Sequence, residues 1–227
     1  MPTPSFRFAR HGGLSLVLAA TLRVCPAHAE TPQQLAADLQ VGDVVFIRIP
    51  AKPFREVAAA TGSWTNHVGV VISTEDGDVR IGESRFPLSG STRLARFVAR
   101  SEGARVAVAR LEGGITPEQA QRVYEAAQRR AGTLYDTGFD LQSRRQFCSR
   151  YVREVMSEAT GTSLGEVESF AALLARRPDT DFGFWKLWYF GRIPWQRETV
   201  TPASVLESPA LRLVFDGVVS SAPRVGS

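Results

Sequence analysis

Cysteine and histidine are scarce here, with two of the first and three of the second among 227 residues. Three of those five, Cys25, His11 and His28, lie in an N-terminal segment expected to be removed, which leaves Cys148 and His67 alone. A single cysteine cannot form an internal disulfide. One cysteine and one histidine also fall short of a structural zinc set, so neither a metal nor another cofactor is expected. There is no internal repeat and no glycine-rich phosphate cradle. No apolar run beyond the N-terminal segment approaches the roughly 20 residues of a membrane-spanning helix. Lysine is almost absent too: Lys52 and Lys186 are the only two, so arginine carries the basic side of a net charge of +4. The segment before Glu30 holds three arginines and no acid; without it the 27 basic groups fall to 24, against 23 acidic. So even a balance gives no electrostatic footprint for nucleic acid.

Residues 1–29 read as a secretory signal peptide. Arg7 and Arg10 form a basic start, Leu14 to Leu22 a short apolar run, and Ala27-His28-Ala29 a small-x-small cleavage site. The alternatives are an uncleaved anchor and a lipid on Cys25, the latter disfavoured by the bulky Val24 before it. Cleavage before Glu30 would make the protein exported, in the periplasm. The remainder, 44% hydrophobic and 22% charged over the whole chain, suits one soluble domain, expected over residues 30–219 with a disordered tail at 220–227.

A lone thiol in an oxidising compartment is a liability unless it has a task; the competing reading is an inert cysteine packed like a small hydrophobe. Position favours a task. Tyr151, Val152, Val155 and Met156 form one apolar stripe, and Gly161 closes the pattern, so Cys148 falls at the start of a helix. Unpaired N–H groups and the positive dipole end there favour a thiolate and could hold an oxyanion.

The other elements follow from caps and turns. Thr31-Pro32-Gln33-Gln34 and Thr116-Pro117-Glu118-Gln119 open helices to Leu39 and to about Ala131. Strands are expected at Val44–Ile49, His67–Thr74, Val79–Glu83, Ala104–Leu111 and Leu211–Phe215, and further helices at Pro53–Ala60, Val167–Arg176 and Pro202–Glu207. Residues 84–103 read as a polar connection with a helical piece from Leu94 to Ala99.

The hairpin between the second and third strands sets a register. A bulged loop with Gly77 in the left-handed position pairs Thr74 with Asp78 and Gly69 with Glu83, making His67 and Glu83 diagonal neighbours on one face. Gly69 then leaves space beside Glu83. A two-residue loop would put Glu83 on the opposite face; Asn66 and Asp43 would then be the next candidates to orient the imidazole. From Asp181 to Trp195 the chain is dense in aromatics, which suits either core packing, a substrate wall or a membrane-facing patch.

Gly42-Asp43-Val44-Val45-Phe46, Asn66-His67-Val68-Gly69-Val70-Val71, Ile81-Gly82-Glu83-Ser84, Tyr135-Asp136 and Phe147-Cys148-Ser149, in this order, resemble the YiiX/YebB-type permuted papain-fold cysteine hydrolases. These are relatives of the NlpC-type peptidoglycan hydrolases. The run Trp188 to Trp195 and Val200-Thr201-Pro202-Ala203-Ser204 resemble the YebB branch. The resemblance implies an α+β fold, an antiparallel sheet packed against helices with the nucleophile at a helix N-terminus. It implies Cys148 as nucleophile, His67 as base and Glu83 as orienting acid. Tyr135, Trp64 and Trp188 are weaker candidates for substrate contact. Many relatives carry an acid two residues after the cysteine; Arg150 stands there, implying a different charge at the rim. Three functions compete: a thiol hydrolase of amides or esters, acting on cell-wall peptides or on lipid-linked groups; an acyltransferase; and an inactive binding module.

Overall fold

The structure, a computed structural model, describes residues 29–177 and 180–220. Residues 1–28 and 221–227, and with them most of the expected signal peptide and tail, lie outside the described residues.

Thr31 accepts the Gln34 N–H while the Gln34 side chain returns to the Thr31 N–H, and Pro32 needs no donor at the first position of α1 (Pro32–Asp38). β1 (Val44–Ile47) is fully buried, and α2 (Lys52–Thr61) ends on Gly62 in the left-handed region. β2 (His67–Ser73), β3 (Arg80–Glu83), β4 (Gly90–Arg93), α3 (Leu94–Val98) and β5 (Arg105–Leu111) follow. α4 (Pro117–Arg129) carries a second capping box from Thr116 and Gln119, and α5 (Cys148–Thr160) ends on Gly161. The chain continues through β6 (Glu168–Ser169), α6 (Phe170–Ala175), α7 (Phe182–Trp188), β7 (Glu198–Thr199), α8 (Pro202–Leu206) and β8 (Leu211–Val218).

Six strands form one antiparallel sheet in the order β4-β3-β2-β1-β5-β8, and β6 pairs with β7 separately. Alternation along β1 sorts the core. Val44 and Phe46 face α4 and α5, where Val123, Val152 and Met156 pack; Val45 and Ile47 face α1 and α3, where Leu35 and Phe97 pack. The fold is therefore α+β, with helices on both faces of an antiparallel sheet.

Four local expectations are corrected. The connection 84–103 contains β4, an edge strand paired to β3, whose polar sequence shows little apolar alternation. Residues 167–176 are not one helix: Glu168–Ser169 pair with β7 first, and the Ser169 side chain then caps α6. β8 runs past Phe215 to Val218, and Ser220 donates to the Glu30 carbonyl, so it belongs to the fold and not to a tail. The hairpin turn also differs. Glu75–Gly77 form a 3-10 turn with Asp76 and Gly77 at φ 50° and 73°, and Ser73, not Thr74, closes the ladder opposite Arg80. An irregularity between Val71 and Ser73 then shifts the pairing, so that Val71 meets Ile81 and Val70 meets Gly82. The register that carries Glu83 to the His67 end of β2 is thus reached through another turn.

Gly69 does not leave empty space. A Cβ there would sit 2.5 Å from Ile81 Cγ2, 3.0 Å from the Gly82 carbonyl oxygen and 3.0 Å from Phe97 Cε2, so Ile81 and Phe97 together fill the site. Gly69→Ala should destabilise by about 1–3 kcal/mol through overpacking, whereas Gly113→Ala, with open space at its Cβ, should be near neutral. Urea unfolding of the two variants checks this; equal midpoints would show that the Ile81 and Phe97 contacts yield freely.

Candidate active site

Each chemical group sits at the end of an element. Cys148 is the first residue of α5, and its N-cap Phe147 has no side chain able to accept from the helix start. The first N–H groups of α5 are therefore uncapped by any side chain, which leaves them able to receive negative charge. His67 is the first residue of β2 and Glu83 the last of β3. Antiparallel pairing brings these ends together, and both side chains are buried.

The His67 Nε2 lies 2.6 Å from Glu83 Oε2. Since the carboxylate can only accept, Nε2 carries a hydrogen, and Nδ1 is the nitrogen left to take or give a proton. Nδ1 is buried and makes no hydrogen bond, yet Cys148 is close enough to act on the charge of the ring. Phe54 approaches the imidazole edge-on at 6.1 Å between centroids and Phe97 lies 5.7 Å away, so aromatic rings hold it in place. Burial by itself would lower the His67 pKa. The Cys148 and Glu83 charges and hydrogen bonding outweigh that and raise it from 6.5 to about 9.

Besides the Arg85 guanidinium 3.7 Å from Oε1, Glu83 has two closer partners that sequence reasoning missed. Thr92 donates to Oε1 at 2.6 Å, and Arg100 Nη2 reaches Oε1 and Oε2 at 2.9 and 2.7 Å. Burial alone would raise this carboxyl; the His67 bond, then the charges of His67 and Arg100, then Thr92, bring it from 4.5 down to about 2. No motif announced either residue. Thr92 reaches Glu83 because β4 pairs with β3, and Arg100 because α3 returns across the sheet.

Beside Cys148 lies a narrow apolar pocket with a cavity volume of about 30 Å³. Phe54 and Val57 of α2, Leu173 and Leu174 of α6, Trp185 of α7 and Tyr135 line it. Tyr135 is buried, and its hydroxyl lacks a partner. Burial first, then the Cys148 charge beside it, raises its pKa well above the ordinary value and keeps it a donor.

Two of the expected contact residues lie elsewhere. Trp64 is absent from the pocket wall; the Arg105 guanidinium sits 4.3 Å from its ring centroid. Trp188 faces an outer groove and donates to the Thr137 carbonyl at 2.9 Å, while Trp185, one turn earlier, lines the pocket. In a stretch where most positions are aromatic, composition cannot say which face of a helix turns inward. The same stretch exposes Leu187 and Phe190, at 80% and 97%.

The model of the family described as permuted papain-like amidase enzyme, YaeF/YiiX, C92 family, matches residues 38–215. The chain belongs to this family. Uncharacterized protein YiiX of Escherichia coli strain K12 is 28% identical over 199 residues, covering 88% of this chain and 94% of its own. A crystal structure described as metalloprotein YiiX from Escherichia coli O157:H7 matches with a TM-score of 0.70 and 26% identity, over 79% of this chain and 98% of that one. Family membership supports cysteine-hydrolase-type chemistry. The YebB branch is not singled out by these matches.

Among the described residues, no three His, Cys, Asp or Glu side chains converge as metal ligands. His67 Nε2 and both Glu83 oxygens are already engaged, so these residues do not fit a metal and no step is routed through one. Arg150 does not charge the rim either: it binds Glu154 and the carbonyls of Ser143 and Arg145. Asn66 spends both ends of its amide on Ile49, and Asp43 is paired with Arg110.

The pKa shifts carry a sign. The lowered Glu83 pKa adds stability above pH 4.5 that is lost as pH falls through about 2; the raised His67 pKa adds stability below 6.5 that is lost as pH rises through about 9. These describe one interaction and are not summed. In urea unfolding, the stability gap between wild type and Glu83→Gln should be widest between pH 4.5 and 6.5. Toward acid it should shrink by about 3 kcal/mol. A gap constant down to pH 2 would show that the buried carboxylate is not held ionised by its partners.

Proposed function

We propose that this chain is an exported thiol hydrolase that cleaves an amide or ester through an acyl-enzyme on Cys148. The observation that carries this reading is the His67 ring, tied by Nε2 to Glu83 and left with an unpartnered Nδ1 beside the thiol at the start of α5.

The steps follow from that placement. Nδ1 takes the thiol proton, and the resulting imidazolium is held by Glu83, with Arg100 and Thr92 keeping the carboxylate ionised and aimed. The thiolate attacks the carbonyl carbon. Negative charge gathers on the carbonyl oxygen, where the Cys148 N–H and the Tyr135 hydroxyl are the available donors. The bond from carbon to nitrogen (or to ester oxygen) breaks as the leaving group takes the proton from Nδ1. Water then gives a proton to Nδ1 and its oxygen to the thioester carbon. The carbon–sulfur bond breaks, the acid departs, and thiolate and imidazolium are restored.

Export rests on the basic start, the apolar run and Ala27-His28-Ala29. N-terminal sequencing of protein recovered from an exporting host should begin at Glu30; a soluble exported product that retains Met1 would rule out cleavage. In the mature protein, iodoacetamide should label Cys148 alone at neutral pH, and more slowly in His67→Ala. Hydrolysis of activated acyl esters should vanish in Cys148→Ala and His67→Ala and persist at a reduced rate in Glu83→Gln. Tyr135→Phe should lower kcat by about 10²-fold with stability retained, the cost of one oxyanion donor. Ester hydrolysis that survives in Cys148→Ala would refute the mechanism.

A further inference from the structure

The arginines beside His67 outnumber the acids that could hold them. His67 lines a groove of about 290 Å³ together with Arg85, Arg96 and Arg100, and among the described residues no carboxylate stands in its wall. Glu83, buried nearby, is already full. One hydrogen bond from His67, one from Thr92 and two from Arg100 take up the roughly four lone-pair sites of a carboxylate. Arg85 stays 3.7 Å from Oε1, beyond a hydrogen bond. Asp78, before β3, is held by Arg80 and Arg93, and Glu102, after α3, by Arg48 and Arg55. Arg96 is exposed and has no ion pair among the described residues.

Two cations are thus left over on one side of the reacting pair. Imidazolium and thiolate cancel, as do Arg100 and Glu83, so the surplus charge is that of Arg85 and Arg96. Charges of one sign in a cleft with low-dielectric walls focus the field on whatever enters. The walls here are Ile49, Phe54 and Phe86, the last 72% exposed at the mouth. Guanidinium groups match the paired oxygens of a carboxylate or a phosphate. The groove lies with the base and not with the sulfur, for Cys148 does not line it. In acyl transfer the leaving group must lie where the imidazolium can protonate it. What enters this groove is therefore the part of the substrate that departs. The charge at the rim of the site comes from the β3–α3 side, where Arg150 does not reach.

We infer that the groove of Arg85 and Arg96 binds an anionic leaving group, so that the substrates are amides or esters whose amine or alcohol part carries a carboxylate or phosphate. This rests on the thiol-hydrolase reading above and names the charge of the part released. As the carbon–nitrogen or carbon–oxygen bond breaks, the departing atom takes its proton from His67 Nδ1, and its anionic end is held by Arg96 and Arg85. Arg100 stays with Glu83 and takes no part in that hold.

Acetate esters of para-substituted phenols test this with the mature protein. The anionic esters are para-acetoxybenzoate and para-acetoxyphenyl phosphate; their neutral counterparts are methyl para-acetoxybenzoate and para-methoxyphenyl acetate. Each kcat/KM is divided by the ester's own hydroxide-catalysed rate, which removes the difference in leaving-group basicity. An anionic ester should then be preferred by about tenfold, the worth of a hydrogen bond to a charged group, and the preference should shrink as salt approaches about 1 M. Which anionic ester leads tells carboxylate from phosphate. The preference should fall near one in Arg96→Gln, reverse in Arg96→Glu, and survive in part in Arg96→Lys, which keeps the charge without the fork. By calorimetry, Cys148→Ala should bind the leading anionic ester more tightly than its neutral counterpart, and lose that difference when Arg96→Glu is added. Hydrolysis without an anionic preference overturns the inference and leaves the hydrolase reading intact. So does a preference that persists in Arg96→Glu. No hydrolysis of any ester, with anionic binding that Arg96→Glu abolishes, upholds the groove and overturns the hydrolase reading. No hydrolysis and no binding overturns both.

Discussion

A carboxylate shut away from water is tolerable only if every part of its charge is answered, and Glu83 is such a group. His67, Thr92 and Arg100 answer it, from the start of β2, from edge strand β4 and from the turn after α3. None of these is local to Glu83 in the chain. The sheet must have its register, β4 must be paired and α3 must be docked before the charge is paired, so the integrity of the site and that of the fold are one condition. Removing a single partner would leave an uncompensated buried charge, which is more costly than never having buried it.

The same arrangement settles the chemistry of His67. Because Glu83 occupies Nε2, Nδ1 is the nitrogen left to exchange a proton, on the side of the sulfur. Phe54 and Phe97 then stop the ring from turning. Phe54 has a second effect, for it divides an arginine-lined groove from an apolar pocket.

Much of this was legible without a fold. Capping boxes at Thr31 and Thr116, the apolar stripe from Tyr151 to Met156 and the terminal Gly161 are local signals, written by backbone geometry within a few residues. They place Cys148 at a helix start. The loop glycine Gly77 likewise places His67 and Glu83 at one end of a hairpin, although the turn itself takes another form and the pairing shifts between Val71 and Ser73 to compensate. Small inventories help: with one cysteine and one histidine left after Glu30, there is little to choose among.

What the chain could not disclose alone is whatever depends on distant surfaces meeting. Arg100 sits in an arginine-rich run, and nothing in that run distinguishes it from Arg96 until α3 packs on the sheet and one guanidinium reaches Glu83. Trp185 and Trp188 carry the same side chain on one short helix, and only docking of α7 against α2 and α6 turns the first inward and the second out. Gly69 looks like room beside a carboxylate until Ile81 and Phe97 fill it. Periodicity and caps determine which residues can occupy a helix start or a strand end; the packing of one element on another decides which side chains those ends will meet.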